Sequence, residues 1–257
     1  MRDWISFWDS DHSIYVNARH FDVHYRTIAD MIVRHVPSPD AVVLDFGCGE
    51  ALHAERVAAA CRRLILVDAA PKVRAGLAAR FAGQPGTKAG VPVELAKFPD
   101  LAGLVARFGN ESTIEVRAPE ELAQATDRSL DLVVMHSVAQ YLTSAEFSAL
   151  LMLFARLLRP GGLLLIGDVI PPHVSAFADA MALLNYGAAN GFLFAAIRGL
   201  LRTAVSDYTK LRSRLGITLY TEGEMLQKLE AAGFTATRAK ANVGPNPARM
   251  TFLARSS

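Results

Sequence analysis

The sequence predicts an α/β protein with a mostly parallel sheet, an antiparallel last strand and an added helical cap. From Ala41 to Asp168, short apolar runs alternate with helical segments, which is typical of a parallel sheet covered by helices on both faces. Two later strand-like runs, Thr235 to Val243 and Met250 to Ala254, are joined by Gly244-Pro245-Asn246-Pro247, and so short a turn connects only antiparallel neighbours. With 257 residues, 51% of them hydrophobic, the chain can bury one large core.

Strands and helices follow one another in a regular order along the chain. Besides the last two runs, apolar β-forming residues predict strands at Ala41–Asp45, Leu64–Asp68, Thr113–Arg117, Leu130–Met135 and Leu163–Gly167. Helical periodicity and Pro or Gly boundaries predict helices at 14–36, His53–Arg62, Pro71–Phe81, Leu101–Phe108, Ser144–Leu158 and Glu222–Ala232. We interpret residues 82–112 as an insertion, and divide the chain into an N-terminal helical segment (1–39), a core (40–170), a cap (171–215) and a C-terminal helix and β-hairpin (216–257).

The cap is apolar and additional to the sheet. The segment from Ala180 to Ile197 has no charged residue but contains Asn185, Asn190 and two glycines, which favours a cap helix over a membrane-spanning one. Three roles stay open: core packing or a homodimer contact, a pocket for a lipophilic substrate, and docking on a membrane surface helped by basic residues from Arg198 onward.

Charge and cysteine content exclude several classes of protein. A net charge of +2 gives no support for nucleic-acid binding. Two cysteines, Cys48 and Cys61, are too few for a disulfide framework or a cysteine-rich zinc site, so we predict reduced thiols. The acidic N-terminus does not resemble a secretory signal. We therefore expect a cytoplasmic protein, with a peripheral membrane location as the alternative.

The turn after the first strand carries the strongest local signal. Gly47 and Gly49 allow the backbone to approach a ligand closely, and Asp68 ends the next strand, where an acid accepts hydrogen bonds from ribose hydroxyls. Leu52 stands where a dinucleotide site would have a third glycine, and Asp45 would repel a pyrophosphate. An adenosine cofactor with a cationic end, such as S-adenosylmethionine, fits this turn better than NAD.

Together with this turn, further motifs resemble the class I S-adenosylmethionine-dependent methyltransferases. They are Val42-Leu44-Asp45-Phe46-Gly47-Cys48-Gly49, Asp68, Leu130-Asp131-Leu132-Val133-Val134 and Leu158-Arg159-Pro160-Gly161-Gly162, and the resemblance covers residues 40–168 and 217–255. It implies a Rossmann-like, doubly wound, seven-stranded sheet with a reversed last strand. It also implies S-adenosylmethionine as cofactor, S-adenosylhomocysteine as product, and cofactor contacts for which we assign Asp45, Gly47, Cys48, Gly49, Asp68, Ala69 and His136.

Two local features refine the resemblance. Ser137-Val138-Ala139-Gln140-Tyr141 and Gly167-Asp168-Val169 are similar to the N-methyltransferase domains of nonribosomal peptide synthetases, which favours a small-molecule or natural-product substrate. After the third strand, Arg117 stands where the family often has an acid that meets the adenine amino group. The Ala118 backbone or Glu120 is then expected to take over that contact.

The carboxyl ends of the fourth and fifth strands supply the candidate catalytic residues. His136 ends one strand, Tyr141 lies shortly beyond it, and Asp168 ends the next, where ligands bind in open α/β sheets. A base there helps when the acceptor must lose a proton. For each of these residues a purely structural role is the alternative.

The N-terminal helix adds His20 and His24, which lie one turn apart on one face. No HExxH pattern or acid cluster accompanies them, so we expect no metal site. Contact with substrate, for His20 in particular, and a solvated helix face remain as alternatives. Tyr15 and Arg19 are weaker candidates, for the methionine carboxylate.

The sequence therefore predicts a methyltransferase for a small, apolar metabolite. A lipid or membrane-quinone methyltransferase is the alternative within the class. A relative that binds the cofactor without transferring methyl, and an NAD-dependent oxidoreductase, are less favoured because the glycine turn is intact and Asp45 and Leu52 oppose a pyrophosphate.

Overall fold

The computed structural model describes residues 2–10, 15–81, 91–92, 112–203 and 216–257. The predicted helix Leu101–Phe108 and the last residues of the predicted cap, 204–215, lie outside the described residues. The strands are β1 (Val42–Phe46), β2 (Arg63–Val67), β3 (Val91–Pro92), β4 (Thr113–Arg117), β5 (Leu130–His136), β6 (Leu158–Val169), β7 (Phe234–Arg238) and β8 (Met250–Ser256).

All of these strands belong to one sheet, in the order β3-β4-β2-β1-β5-β6-β8-β7. The strands from β4 to β6 in this order are mutually parallel, and β8 runs antiparallel to both β6 and β7. The predicted mixed sheet with a reversed last strand is thereby confirmed. The sheet also has an eighth strand of two residues, β3, which pairs antiparallel with β4 at the edge.

Two predicted strand boundaries were wrong. β6 begins at Leu158 instead of Leu163, because Leu158 already pairs with Leu130 before the ladder shifts register. β7 ends at Arg238 instead of Val243. Beyond that point side chains replace the ladder, since the Val243 N–H donates to the Thr251 hydroxyl at 2.7 Å.

Helices cover both faces of the sheet, and side-chain caps mark where several begin. They are α1 (Arg2–Trp8), α2 (Ala18–Val33), α3 (Ala54–Ala58), α4 (Pro71–Phe81), α5 (Ser144–Leu157), α6 (Ala176–Asn190), α7 (Leu193–Thr203) and α8 (Glu222–Ala231). Thr143 and Thr221 each form a capping box with the glutamate three residues later, at the start of α5 and α8. α1 was not predicted, and α3 is shorter than the predicted His53–Arg62.

Alternate residues of the central strands enter two separate cores. Leu44 and Met135 pack with Phe147 and Phe154 of α5, on the face that α5 and α8 cover. Val43 and the other alternate positions pack on the opposite face, against α2, α3 and α4. The period of two along each strand therefore explains the doubly wound arrangement.

The described part of the predicted cap contains two helices that rest on α2. Tyr186 of α6 donates a hydrogen bond from its hydroxyl to the Val23 carbonyl at 3.0 Å. Gly191, with φ of 76°, ends α6 and interrupts the uncharged segment. No helix among the described residues is both long and apolar enough to cross a bilayer. Separation of the chain into the four predicted units stays a prediction.

Candidate active site

A cavity of about 920 Å³ lies at the carboxyl ends of β1, β2, β5 and β6, the position of ligands in open α/β sheets. Residues of α1 and α2 also line it. The structure brings together here most of the site residues predicted from sequence: Asp45, Gly47, Cys48, Gly49, Asp68, Ala69, His136, Tyr141 and Asp168.

The glycine turn after β1 is held tightly against its neighbours. The backbone N–H groups of Gly47 and Cys48 both donate to the Val67 carbonyl at the end of β2, at 2.7 and 3.2 Å. Gly47 and Gly49 have φ of 73° and 56°, in the left-handed region that favours glycine. A Cβ on Gly47 would lie 2.3 Å from a methyl carbon of Val138. Glycine is therefore required at this turn, which borders the cavity.

Asp68 supports the turn and keeps capacity for a ligand. Its carboxylate accepts hydrogen bonds from the Gly49 N–H at 3.0 Å and the Ala70 N–H at 2.8 Å. Burial raises the pKa of Asp68, while these two N–H groups act to lower it. Because a carboxylate offers about four lone-pair sites, Asp68 can still accept hydrogen bonds from a ligand.

Asp45 has no ion-pair partner within the described part of the chain. Among the described residues none donates a hydrogen bond to its carboxylate. Burial, with a smaller contribution from the charge of Asp68, raises the pKa of Asp45 to about 7. A positively charged ligand would favour the ionised form of Asp45. This end of the cavity thus fits a cation.

The α2 side of the cavity is uncharged at neutral pH. Tyr25 accepts a hydrogen bond from the Glu50 N–H at 3.2 Å, which fixes α2 over the glycine turn. Burial lowers the pKa of His24 to about 3, with smaller effects of His136 and His20. Burial also raises the pKa of Tyr15 well above its usual range.

Aromatic side chains of α1 form another part of the cavity lining. The rings of Trp4 and Trp8 lie 4.7 and 5.7 Å from the ring of Tyr141, which follows β5. Asp9 accepts a hydrogen bond from the Lys72 N–H at 2.6 Å, at the start of α4. These contacts attach the N-terminal segment to two sides of the cavity.

Comparison with known proteins identifies this arrangement. Residues 44–166 match the family model described as a methyltransferase domain. Magnesium protoporphyrin IX methyltransferase from Synechocystis PCC 6803, solved with bound SAH, is 18% identical, with 100% of this chain and 94% of that chain covered and a TM-score of 0.53. A SAM-dependent methyltransferase from Methanosarcina mazei is 15% identical, with 88% and 96% covered and a TM-score of 0.53. At such identities the likeness shows a shared fold. A search of curated proteins gives no match.

Residues 44–166 thus form a methyltransferase domain, and the chain has the fold of S-adenosylmethionine-dependent methyltransferases. The matched segment runs from Leu44 in β1 to Ile166 in β6 and includes the glycine turn and Asp68. The predicted enzyme class and cofactor are confirmed. The similarity to the N-methyltransferase domains of nonribosomal peptide synthetases stays a prediction.

The methyltransferase site fits its cofactor on observations of its own. At Gly47 and Gly49 a Cβ would clash with Val138 and Tyr25, so only glycine allows the turn to take this conformation at the edge of the cavity. Asp68 has lone pairs that can accept hydrogen bonds from ribose hydroxyls. The positive charge of a sulfonium or an ammonium group would balance the negative charge of ionised Asp45. The residue-by-residue assignment of these contacts is a proposal.

His136, the first catalytic candidate, is fixed by its surroundings. Its Nε2 lies 2.7 Å from the Val243 carbonyl oxygen. Because a carbonyl only accepts, Nε2 carries the proton and Nδ1 is left as the acceptor atom. A Cβ on Gly167 would come within 2.8 Å of the His136 ring, so the ring packs directly on β6.

A bulge in β6 directs Asp168 toward the cavity. The pairing of β6 with β8 shifts register between Ile166 and Val169, and Asp168 has φ of 60°. The Asp168 N–H donates to the Asn242 side chain at 3.1 Å, in place of a backbone partner. Bulges often redirect side chains beside active sites. Sequence reasoning missed Asn242, which is 74 residues away in the chain.

Gln140 is a second residue that the sequence did not single out for the site. Its Nε2 donates to the Ser137 carbonyl at 2.8 Å, which fixes the orientation of the amide. Its Oε1 is buried and has no hydrogen-bond partner. The side chain lines the cavity, and a buried acceptor without a partner favours a ligand that donates to it.

Three predicted site residues lie away from the cavity lining. His20 is 8% exposed and stacks on Phe192 of the cap at 4.8 Å, so His24 replaces it as the histidine of α2 in the site.

The Ala118 N–H donates to the Glu121 side chain at 2.7 Å. Glu120 is exposed, and Pro119 between them lines the cavity. Arg117 forms an ion pair with Glu115 at 2.6 Å.

Arg80 of α4 holds the segment that follows the glycine turn. Its guanidinium donates to the carbonyls of Glu50, Ala51 and Leu52 at 3.2, 3.0 and 2.8 Å. Ala51 has φ of 41°, an uncommon value for a residue with a side chain. Arg80 therefore stabilises a strained segment of the methyltransferase site. Nothing in the local sequence indicates this role, since Arg80 lies 28 to 30 residues later in the chain.

Proposed function

We propose that this methyltransferase transfers the methyl group to a small, apolar metabolite that binds between the glycine turn and α1. The size and lining of the cavity carry this proposal. Pockets of about 300–1,000 Å³ hold one drug-sized ligand, so about 920 Å³ leaves space for an acceptor beside the cofactor. The wall away from the glycine turn is lined by apolar and aromatic side chains: Trp4, Ile5, Trp8, Tyr141, Leu142, Leu150 and Ile170.

Cofactor binding is divided between two acids and the turn. Asp68 accepts hydrogen bonds from the ribose hydroxyls, while the Gly49 and Ala70 N–H groups hold its carboxylate in place. Asp45 lies beside the cationic end, where its charge offsets that of the ligand. Arg80 keeps the following residues in the conformation that this arrangement needs.

The protein contributes mainly alignment to the reaction. S-adenosylmethionine supplies the methyl group: the acceptor's lone pair forms a bond to the methyl carbon while the carbon–sulfur bond breaks and its electron pair stays on sulfur, which gives S-adenosylhomocysteine. The aromatic wall holds the acceptor in line and excludes water. His136 Nδ1, the Tyr141 hydroxyl and Asp168 are the groups that can accept or donate a proton there.

Calorimetric titration tests the cofactor site first. We expect micromolar binding of S-adenosylmethionine and of S-adenosylhomocysteine, and at least tenfold weaker binding by Asp68→Asn. Asp127→Asn, a change at an exposed carboxylate outside the cavity, is the matched control. Unchanged affinity in Asp68→Asn would remove the ribose assignment. Absence of binding by the folded wild-type protein would contradict the proposed function.

A lipid or membrane-quinone acceptor is the second candidate, and one surface feature favours it. Phe177, Phe194 and Leu201 of the cap helices are 75%, 88% and 76% exposed. Phe194, Ile197 and Leu201 repeat on one face of α7, with Arg198 exposed beside them. Apolar side chains next to a cation suit an anionic bilayer surface.

Vesicle sedimentation distinguishes this second candidate. We expect the protein to sediment with phosphatidylcholine vesicles that contain phosphatidylserine, and Phe194→Ser with Leu201→Ser to abolish this. Met152→Ser, which changes an exposed apolar residue of α5, is the matched control. Equal sedimentation of both variants, or none by the wild type, would contradict membrane docking. A concentration-dependent dimer lost in the cap variant alone would assign the face to a second copy.

A further inference from the structure

Ser137 and Asp168 form a strained, hydrogen-bonded pair at the acceptor end of the cavity. They have φ of 57° and 60°, although neither is a glycine. Such backbone conformations are energetically unfavourable and occur preferentially at functional sites. Ser137 donates from Oγ to Oδ2 of Asp168 at 2.6 Å, and both residues line the cavity.

The rest of the surroundings fix the Asp168 carboxylate. The buried Asn242 side chain donates from Nδ2 to Oδ1 of Asp168 at 3.3 Å and accepts from the Asp168 N–H. Thr251 donates to the Asn242 oxygen at 2.9 Å, which sets the orientation of the amide. A carboxylate held on both sides in this way is preorganised for a ligand.

Among the residues that the structure describes, the charges around Asp168 do not cancel. Arg249 donates from Nη2 to both carboxylate oxygens of Asp179, at 2.9 Å each, and its Nη1 lies 4.0 Å from Oδ2 of Asp168. Within the described ranges, Arg249 is thus the one cation beside the two carboxylates of Asp168 and Asp179, so these three side chains together carry one net negative charge. Asp168 and Arg249 are only 18% and 12% exposed, so water screens this charge weakly. Two histidines lie nearby. The Nε2–H of His136 donates a hydrogen bond to the Val243 carbonyl oxygen, and His24 is neutral.

We propose that the methyl acceptor is an apolar amine, which binds as an ammonium ion against Asp168 and gives its proton to the Ser137–Asp168 pair. This inference rests on the proposed function and specifies its substrate class. An ammonium supplies the missing positive charge, whereas an alcohol leaves it uncompensated and a carboxylate is repelled. The aromatic wall of α1 and Tyr141 receives the apolar part of the molecule.

One relay through Ser137 carries a proton from the ammonium group to Asp168. The ammonium proton passes to Ser137 Oγ while the Ser137 proton passes to Oδ2 of Asp168, which leaves a neutral amine and a protonated carboxyl group. The positive sulfur nearby lowers the pKa of the ammonium and so favours this transfer. The nitrogen lone pair then takes the methyl group, and the product leaves as an N-methylammonium ion. Asp168 returns its proton to water.

Matched amines and alcohols test the substrate class. With S-adenosylmethionine present, we expect 2-phenylethylamine and tryptamine to be methylated at least tenfold faster than 2-phenylethanol and tryptophol, as measured by mass spectrometry of the products. Methylation of the alcohols without the amines would overturn the amine inference and leave the proposed function intact. Methylation of none of the four would contradict the proposed function itself.

Three variants test the pair. Asp168→Asn keeps the shape and suits the positive φ, so we expect KM for the amine to rise at least tenfold while the affinity for S-adenosylhomocysteine is unchanged. Ser137→Ala and Ser137→Gly both remove the hydroxyl, but only glycine relieves the strain. We expect both to lower kcat at least tenfold with little change in KM. A lower melting temperature with unchanged kcat and KM in all three would assign the pair a structural role only.

Discussion

Gly47 and Val138 are in such close contact that a Cβ on Gly47 would come within 2.3 Å of Val138 Cγ2. The turn after β1 therefore lies directly on the segment that follows β5. This contact brings the cofactor end and the acceptor end of the cavity together, since Val138 is next to Ser137 in the chain.

Gly47→Ala is expected to destabilise the fold by about 2 kcal/mol or more, because it adds a clash to an unfavourable positive φ. Binding of S-adenosylmethionine should weaken in parallel. Combining it with Val138→Ala relieves the clash but not the backbone strain, so we expect partial recovery in a denaturant double-mutant cycle. Gly76→Ala in α4, where a Cβ meets no atom within 4 Å, should be neutral or stabilising. Full recovery in the double variant would show that backbone strain is unimportant.

Asp45→Asn should stabilise the ligand-free protein above neutral pH. Burial raises the pKa of Asp45 to about 7, so its protonated form favours folding at low pH, and this contribution is lost as pH rises through about 7. We expect Asp45→Asn to be more stable than wild type at pH 8 by about 1–4 kcal/mol and equal to it near pH 4.

The same variant should lose the pH dependence of cofactor binding. Wild-type affinity for S-adenosylmethionine is expected to increase as pH rises through about 7 and Asp45 ionises. Asp45→Asn should bind more weakly and with no such step, as measured by calorimetry from pH 5.5 to 8.5. A step of the same size in the variant would assign it to another group.

His24 should make the protein sensitive to acid. Burial lowers the pKa of His24 to about 3 and that of His20 to about 4. The stability that each neutral ring contributes is full above the unfolded pKa of about 6.5 and falls as pH decreases toward these values. We expect His24→Phe to reduce the loss of stability between pH 7 and 4.5 by about 2 kcal/mol in denaturant titrations. An unchanged slope would indicate that His24 is hydrated in solution.

Arg80→Lys should weaken cofactor binding although it keeps the charge. Lysine cannot donate to the carbonyls of Glu50, Ala51 and Leu52 together. We expect about tenfold weaker binding of S-adenosylmethionine and a modest decrease in melting temperature. Arg62→Lys, at an exposed position that donates to the Asp40 carbonyl, is the matched control. Equal affinities in the two variants would contradict a role for Arg80 in the site.

The sheet was predictable because its signals are local. Alternating burial of Val43 and Leu44, the acid at the end of β2 and the short turn before β8 all follow from neighbouring residues. Helix α1 was missed because seven residues are too few to show a helical period. The bulge at Asp168 was missed because it depends on Asn242, which lies in another part of the chain.

The sequence by itself determined the fold class, the enzyme class and the cofactor, since backbone sterics at Gly47 and the periodicity of apolar residues are properties of short segments. Only the tertiary structure decided that His24 and not His20 lines the cavity, and that Arg80 holds the turn. It also decided the uncompensated charge near Asp168. Burial and charge pairing depend on residues that come from distant parts of the chain, so they arise only when the chain is folded.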